Sequence, residues 1–294
     1  MRFSGHDTFH CKEQWLLKGL ELIGNQDSTS PFRNENAIYK LGVGKNMVRS
    51  IHYWLRSFDL IDEQNKFTEY SKYLFLGHKY KYDCYLENPS SLFLLQFLLA
   101  TKRFASIYSL IFLEYFKDKV NMEFSEIQIM NFIKRILSEK QIEKFNENTI
   151  KSDFKVFIRT YVSPKKNFKT IEDDFSAPLL SLKLISDTGR KNELNQPVYK
   201  INKRVRLELS EHILAFCILD YFKGMNTIDF TDISSKIGSV LCLNIEGLEE
   251  IIGRLCSNDK RFIFKNDTGI KQLQVKDNSL FMKEDMLKEV YENG

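Results

Sequence analysis

Two runs of helical periodicity meet at Gly42-Val43-Gly44, and this junction constrains the amino-terminal third of the chain more than any other feature. Upstream, Ala37, Ile38 and Leu41 recur at helical spacing behind Asn34, a residue suited to capping. Downstream, Met47, Val48, Ile51, Trp54 and Leu55 mark one face of a helix over residues 45–58. Glycine admits the positive φ that a sharp turn between helices needs. Two short extended pieces, Leu60-Ile61 and Lys66-Phe67, then flank a polar turn at 62–65. Helix, turn, helix, hairpin is the order of a winged helix-turn-helix.

The same order returns near the carboxyl end. Helices over about 207–222 and 245–256 frame an apolar stretch at 230–237. Residues 262–264 and 272–275 then read as a hairpin joined through 266–269. The second candidate recognition helix carries Glu246, Glu249 and Glu250, a poor surface for phosphates. This copy is therefore read as a packing or dimerisation module, which makes a homodimer an expectation. Between the copies lie apolar helices at 92–99 and 104–116, with Ser90 or Ser91 as the cap of the first. Two more at 124–137 and 149–161 turn Lys134, Arg135, Lys151, Lys155 and Arg159 outward. A turn at Asp187-Thr188-Gly189 and a short strand at 198–201 follow.

The expected fold is mainly α, with tandem winged helix-turn-helix modules and short β-hairpin wings around a central helical region. Its three domains would span residues 1–82, 83–166 and 167–294, and 294 residues exceed what one small core needs. Only five prolines and thirteen glycines occur, few for a turn-rich β-sandwich. The longest apolar stretch, 92–100, is too short to cross a bilayer, and no apolar leader follows Met1. The five scattered cysteines form no CxxC, so neither a disulfide framework nor a zinc site is indicated; the reducing cytoplasm is the expected location.

Net charge is +4, but residues 151–206 hold thirteen Lys/Arg against six Asp/Glu. Such a basic block points to an anionic partner, with nucleic acid the usual one; a solvated lysine-rich surface is the alternative. In the first helix-turn-helix, Lys45, Asn46, Arg49, Ser50, Tyr53 and Arg56 are read as the outer, DNA-binding face, while Met47, Val48, Ile51 and Trp54 point inward. A winged helix used only for protein contacts is the competing reading. Gly42 to Asn46 fails as a phosphate loop, because Tyr39 stands where a glycine is needed and Asn46 where Ser or Thr is needed.

The segment Ser4 to His10 gathers imidazoles, a carboxylate and hydroxyls. His6 and Asp7 are its candidate catalytic pair, with a divalent metal such as Mg²⁺ if the chain nicks DNA. Local hydrogen bonding of His6 and capping of the next helix is the commoner use of such residues. Asp83 and Glu87 form a second acidic cluster, for which helix capping is again favoured.

Three blocks, FSGHDTFHCKEQWLLKG, LGVGKNMVRSIHYWL and DCYLENPSSLFLLQFLLA, together resemble a bacterial domain-of-unknown-function family linked to DNA phosphorothioation and defence gene clusters, which includes SspB-like components. The resemblance covers almost the whole chain and carries over Gly5, His6, Trp15, Gly42, Gly44, Lys45, Asn46 and Arg49. It implies a DNA-binding partner of a cysteine desulfurase and an ATPase that exchange a phosphate oxygen for sulfur. It also implies nicking of one strand. The chain departs from the family pattern at Lys12, usually Arg, and at Gln96, usually His. A non-catalytic DNA-binding adaptor or transcriptional regulator is the second reading.

Overall fold

Apolar spacing sets the first layer: α1 (Glu13–Gly24), α2 (Asn36–Leu41) and α3 (Lys45–Ser57) each bury one face on the others. Helices α1 and α3 approach so closely that a Cβ on Gly19 would lie 2.7 Å from Ile51 and 2.8 Å from Leu55. Gly42 takes φ +65 in the turn between α2 and α3. The structure, a computed structural model, describes every residue except 25–30, 34–35, 77–82, 118, 143–145, 164–176, 268, 277–279 and 293–294. The Asn34 cap therefore lies outside the described residues.

The expected first wing is smaller than the sequence suggests. A single antiparallel bridge joins Ile61 to Phe67. The Asp62 carboxylate accepts the N–H groups of Gln64 and Lys66, both at 2.8 Å, and closes the chain into a tight turn. Helix α4 (Glu69–Ser71) runs on as a π-helical turn over Lys72–Leu76.

Helix α5 (Pro89–Thr101) is buried on all sides from Ser90 to Ala100, which is why it has no amphipathic stripe. Its cap is Asn88, which accepts from Ser90, rather than Ser90 or Ser91: Pro89 fits the first helical position and draws the start forward. Helix α6 (Ser106–Ser109) extends through a π-helical turn to Tyr115 and is bent 96° from α5. No single helix among the described residues is long and apolar enough to cross a membrane.

Helices α7 (Glu126–Glu139) and α8 (Glu147–Tyr161) follow. Strands β1 (Glu123–Phe124), β2 (Ile185–Lys191) and β3 (Pro197–Ile201) form an antiparallel sheet in the order β1-β3-β2. The turn expected at Asp187-Thr188-Gly189 is instead an irregularity inside β2, where register shifts between Asp187 and Lys191 and Gly189 takes φ +73. The reversal comes later, at Asn192, whose side chain accepts from Leu194 and Gln196.

The last third contains α9 (Glu211–Tyr221), β4 (Thr227–Asp229), α10 (Phe230–Ile233), α11 (Ile245–Asn258), β5 (Phe262–Asp267), β6 (Ile270–Val275) and α12 (Leu280–Glu292). The expected hairpin β5-β6 gains a third strand, giving the order β4-β6-β5. The start of α11 packs on its own chain: a Cβ on Gly247 would sit 2.8 Å from Val205 Cα, and Glu249 pairs with Lys271.

The buried apolar side chains form one cluster from Phe3 to Leu287. Some polar groups inside it are matched. Gln96 donates to the Val240 carbonyl at 3.0 Å and accepts from the Tyr161 hydroxyl at 2.6 Å. The result, among the described residues, is a mainly helical protein with two small antiparallel sheets.

Candidate nucleic-acid interface

Residues 2–9 fold back over α3 and α8. The Arg2 N–H donates to Ser106 Oγ at 2.7 Å and its carbonyl accepts from Ser106 at 3.1 Å. Ser4, Gly5, Asp7 and Thr8 all have positive φ. For the three non-glycine residues this costs roughly 1 kcal/mol apiece, so the loop persists only because its surroundings over-determine it. Gly5 is required twice: φ is +106, and a Cβ would meet the Tyr53 ring at 2.8 Å.

The clamp is Asp153 on α8, itself buried. Its Oδ1 accepts the Ser4 N–H at 2.8 Å and the His6 Nε2–H at 2.9 Å. His6 Nδ1 accepts the Thr8 N–H at 3.1 Å, so it is Nε2 that carries a proton toward Asp153. His6 thus faces inward. Asp7 turns the other way, and its Oδ2 accepts from Arg49 Nε at 2.7 Å.

Asp7 lies on the wall of a cleft of about 850 Å³. Five cations line it: Arg2, Arg33, Arg49, Arg56 and Lys66. Among the described residues two carboxylates oppose them, Asp7 on Arg49 and Glu63 on Arg56, the latter at 3.7 Å. The Phe104 ring holds two of the guanidiniums, with Arg2 at 4.2 Å and Arg56 at 4.8 Å from its centroid. Arg49 also donates to Asn46 Oδ1 at 2.9 Å.

His52 reports the field in the cleft. Its ring stacks on Phe32 at 4.6 Å and its Nε2 donates to Asn65 Oδ1 at 2.6 Å. Burial lowers its pKa; the Asn65 bond opposes this, and Arg56, Arg2 and Arg33 lower it further. His52 is therefore neutral at pH 7, and the cleft keeps an excess of positive charge that an anion would satisfy.

The sequence-predicted residues divide. Lys45, Asn46, Arg49 and Arg56 share the solvent-facing stripe of α3, with Arg49 and Arg56 in the cleft. Ser50 and Tyr53 do not share it, which corrects the expected outer face. Ser50 is fully buried with no partner for its hydroxyl, and Tyr53 lies under Gly5 with its hydroxyl pKa raised by burial and by Asp153. The missed residues, Arg2, Arg33, His52, Lys66 and Phe104, come mostly from other segments; His52 alone had a signal, three residues after Arg49 and four before Arg56.

The donors of His6 and Asp7 do not fit a divalent metal. Both imidazole nitrogens are in hydrogen bonds, and the Asp7 carboxylate serves Arg49. Asp83 is likewise engaged, its two oxygens accepting from Glu87 at 2.8 Å and Asn88 at 3.0 Å at the start of α5. Among the described residues no group of three or more His, Cys, Asp and Glu side chains is arranged to hold a metal ion.

Fold and cleft together define a class: a mainly helical protein with two small sheets among the described residues and an arginine-walled cleft at its amino-terminal helices. The chain belongs to the family described as protein of unknown function DUF4007, whose profile matches residues 3–291. A crystal structure of SspB is similar at 23% identity with a TM-score of 0.83, covering 99% of this chain and 88% of that one. A magnesium-ion-bound SspB crystal structure is similar at 22% identity and TM-score 0.83, with the same coverage. At these identities the likeness is one of fold. No curated protein matches the chain.

Proposed function

We propose that this chain is a DNA-binding component of a bacterial DNA phosphorothioation defence system, acting in the cytoplasm beside a cysteine desulfurase and an ATPase. The observation that carries the DNA reading is the cleft with five cations against two carboxylates. The SspB-like fold and the family support the system. In this reading α1–α3 with the Ile61–Phe67 bridge form one winged helix-turn-helix, and residues 211–275 form a second that packs rather than binds DNA. Lys45, Asn46, Arg49 and Arg56 hold the phosphate backbone. Ser50 and Tyr53 support the helix from below.

Binding to a duplex, measured by fluorescence anisotropy at stepped salt, tests this. Five phosphate contacts at about −0.9 each give a slope of log K against log salt of roughly −4.5. A slope near zero, or no binding at low salt, rejects the reading in favour of a protein-contact scaffold.

A second reading adds strand nicking, favoured by the solved SspB that carries magnesium. In our account His6 and Asp7 position the loop and do not cut. Plasmid nicking with Mg²⁺ is expected to be the same for wild type and for His6→Ala/Asp7→Ala. Losing His6 strands the buried Asp153 with one fewer donor, at a cost of about 1–3 kcal/mol in stability. Loss of nicking by a variant that still melts like wild type would return the pair to a catalytic role.

A further inference from the structure

The loop 4–8 has basic ground on both sides. Gly5 and Asp7 line the cleft, while Thr8, one residue on, lines a separate groove of about 450 Å³ against α8. That groove is walled by Lys151, Lys155 and Arg159, with Asn148 and Ser152 beside them, and among the described residues no carboxylate lines it.

The three cations stand at i, i+4 and i+8 on a helix that otherwise turns Asp153, Phe154, Val156, Phe157, Ile158 and Thr160 inward. Lys151 is held by Glu147 at 3.1 Å. Lys155 and Arg159 are exposed and neither has an ion-pair or hydrogen-bond partner among the described residues. The row is about 12 Å long at 1.5 Å per residue, close to the axial rise of three to four base pairs. A single small anion needs one such cation; a row of three at regular spacing suits a backbone of repeating phosphates. Farther along, Glu126 and Asp187 share the next groove with Lys155 and Arg159, and they end the favourable stretch.

We propose that the α8 groove is a second phosphate-backbone contact, and that the DNA in the cleft continues over the strained loop 4–8 onto Lys155 and Arg159. This rests on the reading of the cleft as a DNA site. It also gives the loop a function: the Asp153 clamp fixes the ridge between two halves of one binding surface.

The test compares Lys155→Gln/Arg159→Gln with Arg49→Gln/Arg56→Gln, measuring anisotropy with a long duplex at stepped salt and thermal unfolding alongside. The α8 variant is expected to unfold like wild type, to bind about tenfold more weakly, and to lose about 1.8 from the salt slope at about 0.9 per contact. Should the double variant melt early, each single substitution is expected to lose about 0.9. Wild-type affinity and slope in the α8 variants, with binding weakened in the cleft variant, overturn the second contact and leave the cleft reading standing. Weakened binding in the α8 variant with none in the cleft variant overturns the continuous path. Wild-type binding by both overturns the inference and the reading beneath it.

Discussion

Asp220→Ala is expected to destabilise the protein by about 3 kcal/mol and to lower its unfolding midpoint by roughly 5–10 °C. Asp220 lies on α9, nearly buried, and accepts from Lys283 of α12 at 2.9 Å and from Lys102 after α5 at 3.1 Å. The Tyr70 hydroxyl is 3.4 Å away, and Lys102 also reaches Asp59 at 3.5 Å. One carboxylate therefore serves Lys102 and Lys283 from two other segments, with Lys223 at 3.8 Å, and its removal strands Lys283 and leaves Lys102 with the Asp59 carboxylate. Lys283→Met should cost much less, because Lys102 still neutralises Asp220. Equal losses for the two variants would refute the shared-carboxylate account.

The same site has a pH signature. Burial alone would raise the Asp220 carboxyl, but Lys102 and Lys283 outweigh it and hold its pKa below the usual carboxylate range. A lowered folded pKa contributes stability that is present above the unfolded value, about 4, and is lost as pH falls through the folded one. Asp59 opposes this. Burial raises its pKa despite Lys102, so its contribution grows as pH falls. Acid unfolding of wild type should thus be steeper than that of Asp220→Ala, and parallel acid limbs for the two would contradict the assignment.

Arg206→Leu is expected to cost about 2–4 kcal/mol, read as a lower urea midpoint with unchanged slope. Arg206 is fully buried, and its guanidinium donates to three carbonyls: Leu182 at 2.9 Å, Asn202 at 3.0 Å and Cys242 at 3.2 Å. Cys242 keeps a second donor, the Arg204 N–H. Leucine fills the volume beside Phe93 but leaves the Leu182 and Asn202 carbonyls without that donor. Arg206→Lys should recover only part of the loss, since one ammonium does not reproduce a planar fork with three directions. A leucine variant as stable as wild type would mean that packing, not the fork, holds these segments.

Sequence reading went furthest where structure is local. The α2–α3 turn, the end of α8 at Tyr161, and the β5-β6 hairpin follow from spacing, and so does the solvent-facing stripe Lys45, Asn46, Arg49 and Arg56. It failed where distant chain covers a helix. Residues 2–9 lie over α3, with Gly5 on Tyr53 and the Trp54 indole donating to Phe9 at 3.1 Å. A face that looks polar in isolation, Ser50 and Tyr53, is thereby buried. His6 drew notice for its chemistry, but its partner Asp153 is 147 residues away. The cleft was half visible for the same reason: Arg2, Arg33 and Lys66 carry no local mark, and Phe104, which organises Arg2 and Arg56, reads as an ordinary core residue.

The most direct test of the DNA-binding cleft is duplex affinity of Arg49→Glu/Arg56→Glu at low salt, with helical circular dichroism recorded on the same sample. Reversing two cations is expected to weaken binding about a hundredfold and to flatten the salt slope by about 1.8, while the helical signal stays that of wild type. Wild-type affinity in a variant that remains folded would contradict the account.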